Sequence, residues 1–169
     1  MSWPFDTSDP FITPEQVVLA RDRLGVTTEE WPLPPTLVAT FQRAAYQRLL
    51  ERTGADAQQP NAFSTGAVDG VPAAVVRIGI GAPVAALVLE EAIARGVRTV
   101  LVAGAAGSLQ PHLPTGSTVV VTGAEREDGT SHHYLPAGEV VAAAPEITGC
   151  WRNGPGRGVR SRCAADRGP

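Results

Sequence analysis

The sequence contains no lysine, only two cysteines and no long apolar run. All fourteen basic residues are arginine, and the two cysteines, Cys150 and Cys163, both lie near the end of the chain. Nothing else in the sequence suggests an oxidising compartment, so we interpret these cysteines as incidental. No apolar run reaches the ~18 residues needed to span a bilayer. No basic region precedes an apolar stretch at the N-terminus, which argues against a secretory signal. We therefore expect a cytoplasmic protein that does not contact membranes.

Charge is unevenly distributed along the chain. Residues 1–149 hold sixteen acidic residues and nine arginines, whereas residues 150–169 hold five arginines and one aspartate. The main body is therefore acidic, which argues against a surface that binds nucleic-acid phosphates. With 169 residues, of which 43% are hydrophobic, the chain is long enough for one domain with a buried core.

The first 66 residues are predicted to be a helical segment. Thr13-Pro14-Glu15-Gln16 predicts a helix start, because threonine can cap the helix, proline suits its first position and glutamine completes a capping box. This helix is expected to end at Gly25. A second helix, ending at Gly54, is predicted from apolar residues at four-residue spacing, namely Leu37, Phe41, Ala45 and Leu49. Residues 55–66 are polar and are predicted to be loop.

Residues 67–148 are predicted to form an α/β core. Asp69-Gly70 indicates a two-residue hairpin turn. A strand at residues 74–78, a glycine turn, a helix from Pro83 to Arg95 and an apolar strand at residues 99–103 then predict a βαβ unit with a right-handed crossover. Residues 118–122 predict a third strand. Since open α/β sheets bind ligands beyond the carboxyl ends of their strands, the glycine turns and the segment 128–134 are candidate sites.

A dinucleotide-binding fingerprint is excluded. Its third glycine would fall at Val84, and no acidic residue follows the next strand to hold a ribose, because Val102-Ala103-Gly104 lies there. These glycines are better explained as a sharp turn between a strand and a helix.

Two other site chemistries receive little support. Asp128, Ser131 and either His132 or His133 are too close in sequence to adopt the geometry of a hydrolase triad, and no nucleophile elbow is present. A zinc site is also disfavoured, because adjacent histidines point apart and His112 is distant. We expect His132 to be a solvent-facing or hydrogen-bonding loop residue, whereas His133 remains open to either role.

From Gly79 to Pro136 the sequence resembles the uridine phosphorylase branch of the nucleoside phosphorylase family. Several blocks in the family's order carry this resemblance: Gly79-Ile-Gly-Ala-Pro83, Leu89-Glu-Glu-Ala-Ile93, Gly96-Val-Arg-Thr99, Gly104-Ala-Ala-Gly107, Leu109-Gln-Pro-His112 and Asp128-Gly-Thr-Ser-His-His-Tyr-Leu-Pro136. The resemblance implies a three-layer α/β/α sandwich with a mixed central sheet, here incomplete at its C-terminal end. It also implies a homo-oligomer.

The implied activity is that of a pentosyltransferase in nucleoside metabolism, which cleaves the N-ribosidic bond of a nucleoside. No cofactor and no metal are expected, and phosphate would be a co-substrate. The resemblance implies that the nucleoside contacts Gly104, Ala105, Ala106, Gly107 and His133. It identifies no catalytic residue.

The family's phosphate-binding residues are largely missing. Val102 stands where the family has an arginine, and Ala105 and Ala106 replace hydroxyl residues. Residues 1–60 show no early glycine–acid–x–x–arginine loop, so only the Gly81 loop remains a candidate for phosphate. A nucleosidase that uses water, or a catalytically inactive protein that binds nucleosides or other small molecules, is therefore a serious alternative.

The last twenty-one residues differ in character from the rest. A helix is predicted to begin at residues 145–148, but residues 149–169 are rich in arginine and glycine and show no regular periodicity. We hypothesise that this tail is a frameshift product that replaces the second half of the fold. We accordingly expect the chain by itself to be inactive.

Overall fold

The computed structural model describes residues 8–25, 32–136, 138, 140–153 and 159–160. The chain divides into two compact units between Ala105 and Ala106. The first unit contains α1 (Pro14–Arg23), β1 (Thr36–Thr40), α2 (Arg43–Thr53), β2 (Phe63–Val68), β3 (Val71–Arg77), α3 (Ala82–Ala94) and β4 (Thr99–Ala103). The second contains β5 (Thr118–Val119), β6 (Gly123–Glu125), a 3₁₀ turn (Ser131–His133), β7 (Val140–Ala142), α4 (Pro145–Asn153) and β8 (Val159–Arg160).

The first unit is built on a mixed four-stranded sheet with the strand order β2-β3-β1-β4. Strands β3, β1 and β4 are parallel, and β2 is antiparallel to β3. Asp69 and Gly70 connect β2 to β3 with φ angles of 49° and 80°, the left-handed conformation that a tight two-residue hairpin requires. The predicted hairpin is confirmed, as is the mixed character of the sheet.

Helices cover both faces of this sheet. On one face, Phe63 and Val76 pack in a buried cluster with Val88 of α3. Side chains alternate along a strand, so Ser64, next to Phe63, lies on the opposite face. There its hydroxyl lies 2.8 Å from the hydroxyl of Tyr46 in α2. The predicted three-layer α/β/α architecture is therefore confirmed.

Helix α1 begins and ends as its sequence predicts. The Thr13 hydroxyl accepts a hydrogen bond from the backbone N–H of Gln16, and the Gln16 side chain accepts one from the N–H of Thr13. Gly25, with a φ of 65°, follows the end of the helix. Both signals depend on contacts between residues at most a few positions apart, which is why the sequence reveals them.

An ion-pair network joins α1 to α3. The Glu91 carboxylate accepts hydrogen bonds from Arg95 Nε at 3.2 Å and Nη2 at 3.0 Å, and from Arg21 Nη1 at 2.8 Å. Glu91 and Arg95 lie four positions apart at the C-terminal end of α3, the spacing at which side chains on one helix face meet. The Arg95 side chain is fully buried, so Glu91 neutralises a charge that water does not reach.

The predicted second helix is wrong in its first part. Residues 36–40 form the strand β1, and the helix begins only at Arg43. The four-residue spacing that starts at Leu37 was misleading, because Leu37 and Ala39 are both buried, as expected for residues on one face of a strand. β1 lies between β3 and β4, a central position that suits a short apolar run rich in β-branched residues.

Two further predictions for the first unit need correction. β2 extends back to Phe63, so residues 63–66 are strand rather than loop, held by antiparallel pairing with β3. The predicted strands at 74–78 and 99–103 and the helix between them are present, but β1 separates β3 from β4. The βαβ connection therefore passes over one intervening strand.

The elements of the second unit differ from those predicted. Of the strand predicted at residues 118–122, only Thr118–Val119 forms a strand, and it pairs with Val159–Arg160 of β8. β6 and β7 form an antiparallel pair that the sequence did not reveal. α4 continues to Asn153, and β8 also lies within the tail that was predicted to be irregular.

Among the described residues, no helix combines the length and the apolar character that crossing a membrane requires. The predicted division of the chain into residues 1–66, 67–148 and 149–169 stays a prediction.

Candidate active site

The carboxyl ends of three parallel strands define the candidate site in the first unit. Since β1, β3 and β4 run in the same direction, the connections that follow them begin at one edge of the sheet. These connections start with residues 41–42 after β1, residues 78–81 after β3 and Gly104 after β4. We call this edge the carboxyl edge.

The glycine turn after β3 leads directly into α3. Gly81 is the N-cap residue of α3, has a φ of 120° and provides no side-chain cap. A φ in this range strongly favours glycine. The N–H of Gly79 donates a hydrogen bond of 2.7 Å to Asn61 Oδ1, and the side chain of Ile80 between the two glycines is 92% exposed.

The residues predicted to contact a nucleoside after β4 are exposed. Gly104 and Ala105 close the first unit, whereas Ala106 and Gly107 begin the second. A Cβ atom placed on Gly104 or Gly107 would meet no atom within 4 Å. The backbone of this segment is therefore accessible to a ligand.

His133 lies in the loop that connects β6 to β7 in the second unit. Its N–H donates to the Thr130 carbonyl at 3.0 Å within the 3₁₀ turn, and its side chain is exposed. Its neighbour His132 is also exposed, and its Nδ1 lies 3.3 Å from Arg126 Nη2. Because arginine can only donate, His132 Nδ1 is the acceptor, which agrees with the hydrogen-bonding loop role expected for it.

Arg126 organises this loop, although the sequence analysis did not single it out. Its Nε donates to Ser131 Oγ at 3.2 Å and its Nη2 to the Ser131 carbonyl at 2.7 Å. The guanidinium also donates to the carbonyls of Leu135, Pro136 and Gly138. Every residue has a backbone carbonyl, so no motif in the sequence could have identified these partners.

Asp128 shapes the start of the same loop. Its Oδ1 accepts hydrogen bonds from the N–H groups of Thr130 at 2.8 Å and Ser131 at 2.9 Å. Hydrogen bonds from Ser131 and Thr130 lower the pKa of the exposed Asp128 carboxyl below its usual value. Asp128 thus holds backbone donors, and Ser131 Oγ accepts from Arg126, so neither is arranged as a triad member.

Two arginines at the carboxyl edge were also missed. Arg77 is the last residue of β3, and Arg43 is the first residue of α2, which follows β1. Thr40, at the end of β1, pairs with Arg77 across the sheet. Arg43 escaped notice because β1 was predicted to be helix, which left Arg43 in the middle of a helix instead of after a strand.

Other site types find less support in the described part of the chain. No group of three or more His, Cys, Asp or Glu side chains suited to a metal ion occurs among the described residues. An open depression lined by Glu51, Gly54 and Asp56 lies at the C-terminal end of α2. That is the opposite end of the helix from Arg43, so the depression is not part of the carboxyl edge.

Comparison with known proteins relates the chain to phosphorylases of nucleosides. It is 42% identical over 83 residues to the uridine phosphorylase of Haemophilus influenzae, which covers 49% of this chain and 33% of that protein. It is 44% identical over 85 residues to the guanosine phosphorylase of Halorubrum lacusprofundi, covering 48% and 35%. The chain thus matches about a third of the length of these curated relatives.

Solved structures share the fold. The uridine phosphorylase of Vibrio fischeri superposes with a TM-score of 0.66 at 23% identity, covering 78% of this chain and 58% of that one. The purine nucleoside phosphorylase of Toxoplasma gondii gives a TM-score of 0.64 at 22% identity, covering 78% and 56%. The family model of the phosphorylase superfamily matches residues 36–162, from β1 to beyond β8. The chain therefore belongs to the phosphorylase superfamily.

Proposed function

We propose that this protein cleaves the N-ribosidic bond of a nucleoside, with phosphate as the attacking co-substrate. The inactivity expected from its tail stays a prediction, which the assay described below also tests. The observation that carries the proposal is the family match over residues 36–162, which includes all three strands of the carboxyl edge. Uridine and guanosine are the first substrates to test, because relatives are named for phosphorylases of each.

The chemistry requires an anion below the sugar and support for positive charge that develops on the ribose. A protein contributes chiefly by fixing the anion and the nucleoside in a reactive arrangement. In this proposal, the exposed backbone of Gly104 and Ala105, at the end of the first unit, contacts the nucleoside, and the contacts expected from Ala106, Gly107 and His133 stay predictions. The turn containing Gly81 offers backbone N–H groups at the start of α3 for the anion.

Arg43 and Arg77 are our proposed phosphate ligands. Both lie at the carboxyl edge, and neither guanidinium has a hydrogen-bond or salt-bridge partner among the described residues. A charge-assisted hydrogen bond from arginine to phosphate contributes about 1.5–3 kcal/mol. Two such contacts would replace part of the phosphate binding that is lost where Val102, Ala105 and Ala106 stand in place of the family's arginine and hydroxyl residues.

Those same three residues favour a second candidate function, a nucleosidase that uses water. Val102 is 58% exposed, and neither it nor the two alanines can donate a side-chain hydrogen bond to phosphate. An enzyme that uses water would not need these contacts. A protein that binds nucleosides without cleaving them would not need them either.

The decisive experiment incubates the full chain with uridine or guanosine, with and without inorganic phosphate, and measures free base by chromatography. Base release that requires phosphate supports the proposal. Equal release without phosphate supports the nucleosidase. Nucleoside binding with no release in either condition identifies a binding protein, and the absence of both contradicts every nucleoside role.

Arginine variants test the proposed phosphate ligands. Arg43→Gln and Arg77→Gln should each raise KM for phosphate about ten- to a hundredfold, the loss expected for one charge-assisted contact. Arg52→Gln is the matched control, because Arg52 lies in the last turn of the same helix as Arg43, away from the carboxyl edge. An equal effect of all three substitutions would reject specific phosphate contacts.

The homo-oligomeric state and the cytoplasmic location stay predictions.

A further inference from the structure

The glycine turn after β3 is held by a residue from another part of the chain. Asn61 precedes β2, eighteen positions before Gly79, and lies in a stretch that the sequence predicted to be loop. Its backbone N–H donates to the Arg77 carbonyl at 2.9 Å, and its Oδ1 accepts from the Gly79 N–H at 2.7 Å. Asn61 therefore holds the backbone on both sides of Ile78. We call these two hydrogen bonds of Asn61 the clamp.

The backbone conformation of Asn61 suits this role. Asn61 has a φ of 67°, in the left-handed region that few residues other than glycine and asparagine adopt readily. This conformation directs its N–H and its side chain to the same neighbouring strand end. Because the Gly79 N–H can only donate, Oδ1 must face it, so the amide orientation is determined by this partner.

Besides Asn61, the turn is held by two backbone hydrogen bonds, from the Ile78 N–H to the Thr40 carbonyl and from the Ala85 N–H to the Gly81 carbonyl. Gly79 and Gly81 lack side chains, Ile80 is almost fully exposed, and α3 has no side-chain cap. Among the described residues, the bond that Gly79 donates to Asn61 Oδ1 is the sole hydrogen bond between residues 78–82 and a side chain. On the other side, Val84 Cγ1 would lie 3.4 Å from a Cβ on Gly79. The turn is thus packed between Asn61 and the first turn of α3.

We propose that Asn61 is a positioning residue that holds the Gly79–Gly81 turn in the conformation the carboxyl edge needs for binding. This inference rests on the proposed function, because the turn is where the phosphate would meet backbone N–H groups. Asn61 acts through Gly79 and is not proposed to take part in the bond cleavage itself. Without its side chain the turn remains but samples other conformations.

Two substitutions separate the clamp from the backbone conformation. Asn61→Gly keeps a residue that adopts positive φ but removes the hydrogen bond to Gly79. Asn61→Asp keeps a side-chain acceptor of the same shape and tolerates the same φ. We expect the Gly79 amide to exchange with solvent about three- to tenfold faster in Asn61→Gly, the loss of one hydrogen bond, and at the original rate in Asn61→Asp. The Val76 amide in β3 serves as the internal control.

Activity provides the second readout in the same variants. We expect kcat/KM for phosphate to fall about tenfold in Asn61→Gly, because a small displacement of the binding groups lowers the reaction rate steeply. In Asn61→Asp we expect kcat/KM to return to the value of the parent chain. An unchanged Gly79 exchange rate in Asn61→Gly would overturn the clamp, and faster exchange with unchanged kcat/KM would overturn its role in positioning. If the unsubstituted chain cleaves no nucleoside, the proposed function fails. The exchange rates alone then decide whether Asn61 clamps the turn.

Discussion

Replacing Glu91 with glutamine tests the ion-pair network between α1 and α3. The carboxylate of Glu91 pairs with Arg95, whose side chain is 0% exposed, and with Arg21, whose side chain is 42% exposed. Glutamine has nearly the same size and can still accept one hydrogen bond. The substitution therefore removes the negative charge while leaving the packing of α3 intact.

The expected loss of unfolding free energy depends on how far each arginine is buried. Removing one partner of a buried pair destabilises a protein by about 3–5 kcal/mol, because a buried charge loses an opposite charge beside it. We expect about 3 kcal/mol for Glu91→Gln, the lower end, since the amide oxygen still faces one arginine. Arg21 is partly exposed and screened by water, so Arg21→Gln should cost about 1 kcal/mol or less.

Urea denaturation followed by far-UV circular dichroism measures both losses of unfolding free energy. In a domain of this length, the loss expected for Glu91→Gln corresponds to a fall in Tm of about 6–12 °C. The double variant Glu91→Gln with Arg21→Gln completes a thermodynamic cycle for the pair. The reasoning is refuted if the unfolding free energy of Glu91→Gln lies within about 1 kcal/mol of that of the parent chain. It is also refuted if Arg21→Gln lowers the unfolding free energy as much as Glu91→Gln does.

Three further predictions follow from single contacts. A Cβ on Gly66 would overlap the Thr53 carbonyl oxygen, so Gly66→Ala should destabilise the chain by about 1–3 kcal/mol in a urea titration, and a neutral result would contradict that close approach. Tyr46→Phe removes the buried hydroxyl bonded to Ser64 and should cost about 1–3 kcal/mol in thermal unfolding, whereas an unchanged Tm would count against this bond. The pKa of Asp128 is lowered by its hydrogen bonds. The ionised carboxylate therefore holds the loop fully at any pH above the ordinary carboxyl pKa, and this stabilisation is lost as the pH falls through the lowered pKa of the folded protein. NMR shifts of the two bonded amides should follow this transition in the parent chain and stay constant in Asp128→Asn, and a transition that persists in the variant would assign the titration elsewhere.

Much of the candidate site could be located from the sequence, but its organisation could not. The glycine turns were placed correctly because a strand, a glycine pair and a helix-opening proline follow one another along the chain. Arg43 was missed because the preceding strand, β1, was taken for part of a helix. Arg126 was missed because its partners are mostly backbone carbonyls, which every residue possesses.

The N-terminal region shows the same difference between local and distant information. The cap at Thr13 and the hairpin turn at Asp69-Gly70 were predicted correctly, because their geometry depends on a few adjacent residues. The interpretation of residues 36–40 failed because a short apolar run is compatible with either a helix or a strand. The frameshift hypothesis for residues 149–169 stays a prediction.

The sequence by itself determined the family resemblance, the helix boundaries around α1 and α3, and the residues of β4. These features arise from side-chain preferences and hydrogen bonds within a few positions of the chain. Only the tertiary structure decided that β1 separates β3 from β4, that Asn61 holds Gly79 and that Glu91 joins Arg21 to Arg95. The physical reason is that each of these depends on burial and pairing between distant segments, which no local pattern encodes.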